Sequence, residues 1–564
     1  MHCRTWGFQH ATFSACETPY NIVKLVISFG MVNAVKVFNT TGLCVPEKHY
    51  MVDLTERLVQ IKAMVDAGKY FTINRARQYG KTTTLAALRR SLSPEYDVLS
   101  LDFQGIGNAG FATEENFVQE FCRLIRKEKR GGFFVPDEIS RQLDDYYNRK
   151  EHRARLGYLF DTISEWCAIN GKGIVLMIDE VDSATNNQVF VDFLAQLRES
   201  YLLREERGTP AFQSVVLAGV TDIRNLRRKL RPEEAHRVNS PWNIAADFNI
   251  DMSLSEPGIR GMLDEYEADH GTGMDTAAVA REIHAFTNGY PFLVSRICQL
   301  MDERMLGGRF ETLSEVWTPA GVSEAVRMIL MDSNLLFDSI MGKVQGNDGL
   351  QRLLYEILFS GERISFNPYD TAVSDAVMYG FIVNDDGGIK ISNRIFETLL
   401  YNYFLNNEET KNSPIFRAGG NNRADFIRGG RLDLEALLER YVTVFDDLYQ
   451  NRAERFDEAE GRRRFLLFVR PVINGTGNYY IEAETRNNRR MDLVIDYLGE
   501  RFVVELKIWD GKAYHEEGEK QLAAYLDALH LNKGYMLTYN FNKTKQQWMN
   551  RRIVNGKELI EAIV

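Results

Sequence analysis

Tyr70 to Ile73 (Y-F-T-I) is a short apolar run that leads into R-A-R-Q-Y-G-K-T at Arg75 to Thr82, and a helical pattern follows from Thr83 to Leu92. A strand that feeds a loop opening a helix is the layout of a phosphate-binding P-loop, and it commits this part of the chain to an α/β core. Chemistry needs that order because the loop and helix N-terminus aim backbone N–H groups at phosphate oxygens. Lys81 adds a point charge on the β/γ oxygens, and the Thr82 hydroxyl is a Mg²⁺ ligand. The candidate nucleotide-binding residues are therefore Arg75, Ala76, Arg77, Gln78, Tyr79, Gly80, Lys81, Thr82 and Thr83, with ATP and Mg²⁺ as the expected cofactors. One departure stands out: Arg75 occupies the place where the usual motif begins with glycine.

A second motif supports the first. Gly173 to Asp182 reads G-I-V-L-M-I-D-E-V-D, a continuous apolar run suited to a strand buried on both faces of a parallel sheet, ending in two adjacent carboxylates. This is a Walker B pattern, in which Asp179 holds the Mg²⁺ shell and Glu180 polarises the attacking water as general base. Tyr96 to Phe103 and Ala211 to Val220 read as further parallel strands with helical segments between them, so a doubly wound sheet is expected, with its ligand at the carboxyl ends of the strands. Thr221 closes the last of these strands. There a residue can sense the γ-phosphate, or Asp222 beside it can simply cap a helix.

Length and composition fit several soluble domains: 564 residues, 45% apolar and 26% charged. The net charge of −10 carries no overall signature of a nucleic-acid coat. The cysteines are scattered without a C-x-x-C pair, which favours reduced thiols and a cytoplasmic setting, and no run of eighteen apolar residues predicts a membrane span. Residues 1–37 read as an N-terminal extension, with Met31 rather than Met1 as the expected beginning of the functional chain.

Beyond an ATPase core over residues 38–235, a helical lid is expected over 236–345, containing N-G-Y-P at Asn288 to Pro291. Residues 346–405 read as a winged helix. Leu350, Leu353, Leu354, Ile357 and Leu358 form one helical stripe, and Phe381 to Val383 and Ile389 to Ile391 flank the turn residues Asn384 to Gly388. From Leu350 to Leu405 there are four Lys/Arg against seven Asp/Glu, which favours an internal clamp over a DNA reader. Residues 406–430 read as a linker and 431–564 as a smaller C-terminal α/β domain, opening on a helix from Leu432 to Leu448.

That domain carries the second chemical constellation. Met491 to Tyr497 reads as a strand bearing Asp492, and Arg501 to Ile508 (R-F-V-V-E-L-K-I) as a strand bearing Glu505 and Lys507. Alternation puts Glu505 and Lys507 on one face, and a neighbouring antiparallel strand can set Asp492 beside them. Two carboxylates are hard oxygen ligands for Mg²⁺, and a lysine beside them can orient water and stabilise phosphate charge. A following helix, Glu519 to Leu529, carries Gln521 and Tyr525 at i,i+4. Arg486, Arg489 and Arg490 precede Asp492 as candidate backbone contacts, or as a solvated basic loop.

Phe38 to Asp53 (F-N-T-T-G-L-C-V-P-E-K-H-Y-M-V-D), the Y-F-T-I-N-R-A-R-Q-Y-G-K-T stretch and S-P-W-N-I at Ser240 to Ile244 resemble the bacterial and archaeal AAA-ATPase-like proteins, which are similar to the STAND class of signalling NTPases. The resemblance covers roughly Val32 to Leu405. It implies that arginine at position 75 is a family feature and that Pro291, in a G-x-P element, lies near the nucleotide. The D…E-x-K arrangement resembles the PD-(D/E)XK nucleases, with Asp492 and Glu505 as metal ligands and Lys507 as a catalytic residue; the resemblance also implies an accessory acid on the first helix or on the strand before the aspartate, for which Glu460, Glu482 and Glu484 are candidates, or else surface charges. Two readings stay open at this point. One is an ATPase coupled to a metal-dependent nuclease of DNA or RNA, and the other a regulatory or scaffold NTPase whose last domain only binds nucleic acid or a protein; a homo-oligomer is compatible with either.

Overall fold

The computed structural model describes residues 36–148, 154–220, 242–332, 334–359, 364–405, 412–421, 423–449, 456, 458–473, 477–480, 493–528, 531–542 and 548–564. Near the amino end four strands, β1 (Tyr70–Asn74), β2 (Asp97–Asp102), β3 (Ile174–Asp179) and β4 (Ser214–Gly219), form a wholly parallel sheet in the order β1-β4-β3-β2. The Walker B strand β3 is thus one strand removed from the P-loop strand β1, with β4 between them. A parallel bridge from Phe71 to Ala246 extends the pairing beyond β1.

Strand side chains alternate between faces, and two separate cores result. Tyr70, Leu99, Leu176 and Leu217 pack to one side with helices Glu114–Arg130, Leu156–Ile169 and Gln188–Arg207. Phe71, Val98, Val175 and Val216 pack to the other, with helices Thr55–Asp66 and Lys81–Leu92. This is the doubly wound arrangement expected from the sequence.

Helices Glu256–His270, Thr276–Thr287, Pro291–Glu303 and Pro319–Met331 follow. The stripe read from Leu350 onward forms helix Asp348–Phe359 and buries Leu350, Leu353, Leu354 and Leu358. Helix Thr371–Met378, strands β5 (Ile382–Asp385) and β6 (Gly388–Ile391), and helix Arg394–Phe404 complete that unit. Its hairpin turns at Asp386 and Gly387, both at positive φ (49° and 78°), as a two-residue turn between twisted strands requires.

The stretch expected to be a linker is more structured than its polarity implies. Pro414–Asn421 is a helix that buries Ile415 and lies flat on helix Glu458–Ile473, so close that a Cβ at Gly419 would stand 2.1 Å from the Phe468 carbonyl oxygen. Adjacent small residues at Ala418 to Gly420 permit that approach, which periodicity alone does not register. After a short ribbon of β7 (Ile427–Arg428) and β8 (Arg431–Leu432), helices Leu434–Tyr449 and Glu458–Ile473 back a six-stranded sheet. The order is β13 (Trp548–Val554), β14 (Lys557–Ile563), β12 (Lys533–Tyr539), β11 (Glu500–Ile508), β10 (Leu493–Tyr497), β9 (Gly477–Tyr480). It is mixed: β11, β12 and β14 run parallel, and β9 and β10 form an antiparallel meander with β11. Helix Lys512–Ala528, seven residues longer at its start than the periodicity indicates, connects β11 to β12. No helix among the described residues is long and apolar enough to cross a membrane.

Candidate functional site

The loop after β1 turns through Gln78 and Gly80, both at positive φ (56° and 78°), and delivers the chain into helix Lys81–Leu92. Lys81 is buried, and its Nζ donates to the carbonyls of Arg75 (2.9 Å) and Ala76 (3.0 Å). Desolvation lowers its pKa, while Glu180, Asp182 and Asp179 oppose that shift. The Thr82 hydroxyl donates to Asp179 Oδ2 at 2.8 Å, so the two expected Mg²⁺ ligands meet across the end of the sheet. Both are hard oxygen donors, a set that fits Mg²⁺.

Asp179 and Glu180 both have raised pKa values, each chiefly through desolvation; in Glu180 the adjacent Asp179 charge adds to it. Glu180 holds φ 53°, an uncommon conformation for a side-chain-bearing residue and one that concentrates at functional sites. Asp182, the last acid of the run, accepts from Val220 N (2.6 Å) and ties the end of β4 to that of β3. A Cβ at Gly219 would lie 2.8 Å from Val181, so this junction admits only glycine without rearrangement.

A cleft of about 220 Å³ opens over the loop, lined by Gln78, Tyr79, Gly80, Lys81, Thr82, Thr83 and Glu180 on one side and by Pro291, Phe292 and Ser295 on another. Asn39, Thr40, Gly42 and Cys44 complete it. Cys44 N donates to Thr83 Oγ1 (3.2 Å), which fastens the segment before the first helix to the P-loop helix. All four lie in the Phe38 to Asp53 stretch that carries the family resemblance, but none was assigned to the nucleotide site from the sequence; the motif begins 31 residues after Cys44, and only tertiary contact joins them.

Arg75 behaves differently from its neighbours. Its guanidinium donates to the carbonyls of Asn74 and Ile250 (both 2.8 Å) and lies over the Phe248 ring at 5.3 Å, outside the cleft-lining set. Only its carbonyl reaches Lys81. Arg77 and Tyr79 meet Tyr290 of the N-G-Y-P element: the Tyr290 hydroxyl donates to Arg77 O, and the two tyrosine rings pack edge-on at 4.8 Å. Thr221 lies outside the described residues.

In the C-terminal sheet Glu505 and Lys507 share a face of β11, with Lys507 Nζ 3.2 Å from Glu505 Oε1. Glu505 is 2% exposed. The Tyr514 ring approaches the lysine at 5.5 Å, and Gly518 leaves room for its stem. Strand β10 enters the ladder with Leu493 opposite Val504, the residue before Glu505. Asp492, Glu482, Glu484, Arg486, Arg489 and Arg490 lie outside the described residues. Glu460 is engaged by Arg464 (2.6 Å) and Arg463 (3.2 Å) of its own helix, whereas Glu458, not singled out from the sequence, accepts from Tyr514 (3.3 Å). Gln521 sits one turn beyond Gly518 on helix Lys512–Ala528.

Comparison with known proteins agrees with this division. A family model for an AAA-like domain matches residues 48–314, and one for the PD-(D/E)XK nuclease superfamily matches residues 478–553. An uncharacterized WD repeat-containing protein of Synechocystis is 23% identical over 398 residues; the match takes in 67% of this chain and 31% of that protein, so the chain spans about a third of its relative's length. Among solved structures, the Walker-type ATPase PABY2304 of Pyrococcus abyssi gives a TM-score of 0.43 at 12% identity, covering 64% of this chain and 99% of that one. The Aeropyrum pernix ORC2 protein gives 0.33 at 12% identity (62% and 93% covered), and the Thermotoga maritima RuvB branch migration motor 0.29 at 13% (60% and 92%). The chain therefore carries an AAA-like P-loop domain followed by a domain of the PD-(D/E)XK nuclease superfamily.

Proposed function

We propose that this protein is a STAND-like ATPase that controls a metal-dependent nuclease in the same chain. The units are an ATPase core over residues 38–235, a helical lid over 236–345, a winged-helix-like unit over 346–405 and a nuclease-like domain over 431–564. ATP binds in the cleft above Gly80. Its phosphates take the place of the Arg75 and Ala76 carbonyls as partners of Lys81, while Thr82 and Asp179 hold Mg²⁺. Glu180 accepts a proton from the attacking water, and its raised pKa makes it a better base than an ordinary solvated carboxylate. Pro291 and Thr221 are assigned to the nucleotide site, the first as a wall of the cleft.

The observation that carries the nuclease half is the Lys507–Glu505 pair, with the Glu505 side chain 2% and the Lys507 side chain 13% exposed. Withdrawing a carboxylate from water costs free energy that pairing only partly offsets, and a solvent-facing Glu/Lys alternation would leave both groups in water. Glu505 and Asp492 offer oxygen ligands suited to Mg²⁺ or Mn²⁺, and an ion held there would polarise the phosphoryl oxygen and lower the pKa of its water. Lys507 is in reach to orient that water and to stabilise charge on the phosphate. Glu460, Glu484 and Gln521 remain accessory assignments. DNA or RNA is the substrate class, and a homo-oligomer is compatible with this reading.

The test is direct. Labelled DNA and RNA are incubated with the protein and Mg²⁺ or Mn²⁺, with and without ATP, beside a Lys507→Ala variant. Metal-dependent cutting that the variant lacks is expected. Cutting without metal, or cutting by the variant at the wild-type rate, overturns the assignment.

A further inference from the structure

Pairing residues of a parallel ladder point to the same face, and Glu505 on β11 stands opposite Met536 on β12, which stands opposite Glu561 on β14. Glu561 therefore shares a face with Glu505 and Lys507, two strands along, at about 10 Å by the usual strand spacing. Helix Lys512–Ala528 crosses this face. Its Gly518 lies over Lys507, and its His515 and Glu519, one turn apart, reach Glu561. His515 Nε2 is 3.1 Å from Glu561 Oε1 and 3.8 Å from Glu519 Oε1, and one donor atom from each residue falls within 4.8 Å of the others.

This is an unusual group to bury. His515 is 4% exposed and Glu561 5%, and the Glu519 side chain is 12% exposed. An apolar trio would fill the same space without the desolvation cost. The carboxylates are also held in place by further donors: Thr538 Oγ1 donates to Glu561 Oε1 at 2.9 Å and Arg552 Nη1 to Glu519 Oε1 at 3.0 Å, which leaves the other oxygen of each carboxylate for an ion. The Trp509 ring, 5.0 Å from the imidazole, shields it. A tetrahedral ion with bonds of about 2.0–2.1 Å needs donors about 3.3 Å apart; the His515–Glu561 separation of 3.1 Å is close to that, and Glu519, at 3.8 Å from the imidazole, would close in by a rotamer adjustment.

The geometry points to a metal site at His515, Glu519 and Glu561 for a divalent transition ion of the Zn²⁺ or Mn²⁺ kind. It is separate from the Glu505–Lys507 pair and serves to staple helix Lys512–Ala528 to β14. One imidazole nitrogen with two carboxylates suits such ions, whereas Mg²⁺ favours an all-oxygen octahedral shell. The assignment stands apart from nuclease activity, because a structural staple holds whether or not the chain cuts nucleic acid.

Full-length protein stripped with EDTA, reloaded with Zn²⁺ and dialysed is expected to retain one equivalent attributable to this site by elemental analysis. The wild type and Glu505→Ala keep it; His515→Ala and Glu561→Gln lose it, together with the rise in melting temperature that Zn²⁺ brings. Where a variant does not fold, Co²⁺ titration of the wild type reports directly, with visible absorption of a low-coordinate, nitrogen-bound ion expected. No retained zinc in the wild type, zinc retained undiminished in both site variants, or a cobalt spectrum of the fully hydrated ion overturns the site.

Discussion

Lys81 holds the P-loop shut with its own charge. With its head on two carbonyls of the loop it occupies the region where phosphate oxygens are expected, and burial already weakens its hold on the proton. Lys81→Ala should therefore lower ATP turnover by about 100-fold or more, the usual scale for losing one electrostatic partner of a transferring group, while circular dichroism and melting temperature stay near wild type. Unchanged turnover would remove Lys81 from the site. At this scale the sequence displays the charged ends of motifs but not their tertiary partners. Arg75 is visible as a departure from glycine, yet the Ile250 carbonyl that it grips lies 175 residues away. Likewise His515 lies ahead of the helix expected from Glu519 onward and joins Glu519 only because that helix starts at Lys512, while Glu561 joins them through the pairing of β14 with β12.

Single positions of extreme tightness decide whether the elements can approach. Gly289 holds φ 71° with the Leu254 carbonyl oxygen where a Cβ would be, at 2.2 Å, and Leu254 N donates to Gly289 O at 2.8 Å. Gly289→Ala should cost about 1–3 kcal/mol in denaturant unfolding, from a disfavoured backbone and a clash with main chain; a cost near zero would mean that the lid joint is loose. Strand β10 offers a pH-dependent counterpart. Desolvation raises the pKa of Asp496 above its ordinary 3.8, against the hydrogen bond from Gly499 N and the Arg501 charge. A raised carboxyl pKa means that the folded state favours the proton, so the contribution is present below the unfolded pKa and is lost as pH rises through the folded one. Asp496→Asn should accordingly raise the melting temperature at neutral pH and converge with wild type in acid, as paired thermal melts can check. Strands and helices were legible because burial on both faces of the first sheet leaves continuous apolar runs, and one-sided burial leaves stripes. The helix at Pro414–Asn421 was not, because contact through glycine leaves no apolar signal.

Across the whole molecule the two chemical units meet through helices Thr276–Thr287, Pro291–Glu303 and Pro319–Met331 and through the segment from Asp348 to Phe404. Tyr290 touches the P-loop at Arg77 and Tyr79 and packs on Phe396 (5.2 Å), whose helix Arg394–Phe404 reaches the nuclease-like domain where Tyr401 faces Tyr479 at 6.2 Å. A second bridge runs from Arg501 on β11 to Glu282 and to Ser323 Oγ (3.1 Å) in the lid. The first carries contact from the nucleotide cleft to β9, two strands from the one that bears Glu505, and the second joins β11 itself to helices Thr276–Thr287 and Pro319–Met331. Arg501→Ala should leave metal-dependent cutting in place but shrink its response to ATP, read as the ratio of cleavage rates with and without nucleotide. A ratio identical to wild type would place the coupling elsewhere. Contact order of this kind is invisible to periodicity, since each helix reads as an amphipathic stripe whichever unit covers it.

The central claim is that one polypeptide holds two separate phosphate chemistries, a nucleotide cleft at Lys81 and a phosphodiester site at Glu505 and Lys507. Parallel measurement of ATP turnover and nucleic-acid cleavage in wild type and Lys507→Ala, at fixed Mg²⁺, tests it most directly. The account predicts a variant that still turns over ATP and no longer cuts. Cleavage by that variant at the wild-type rate, in a preparation that also hydrolyses ATP normally, would contradict it.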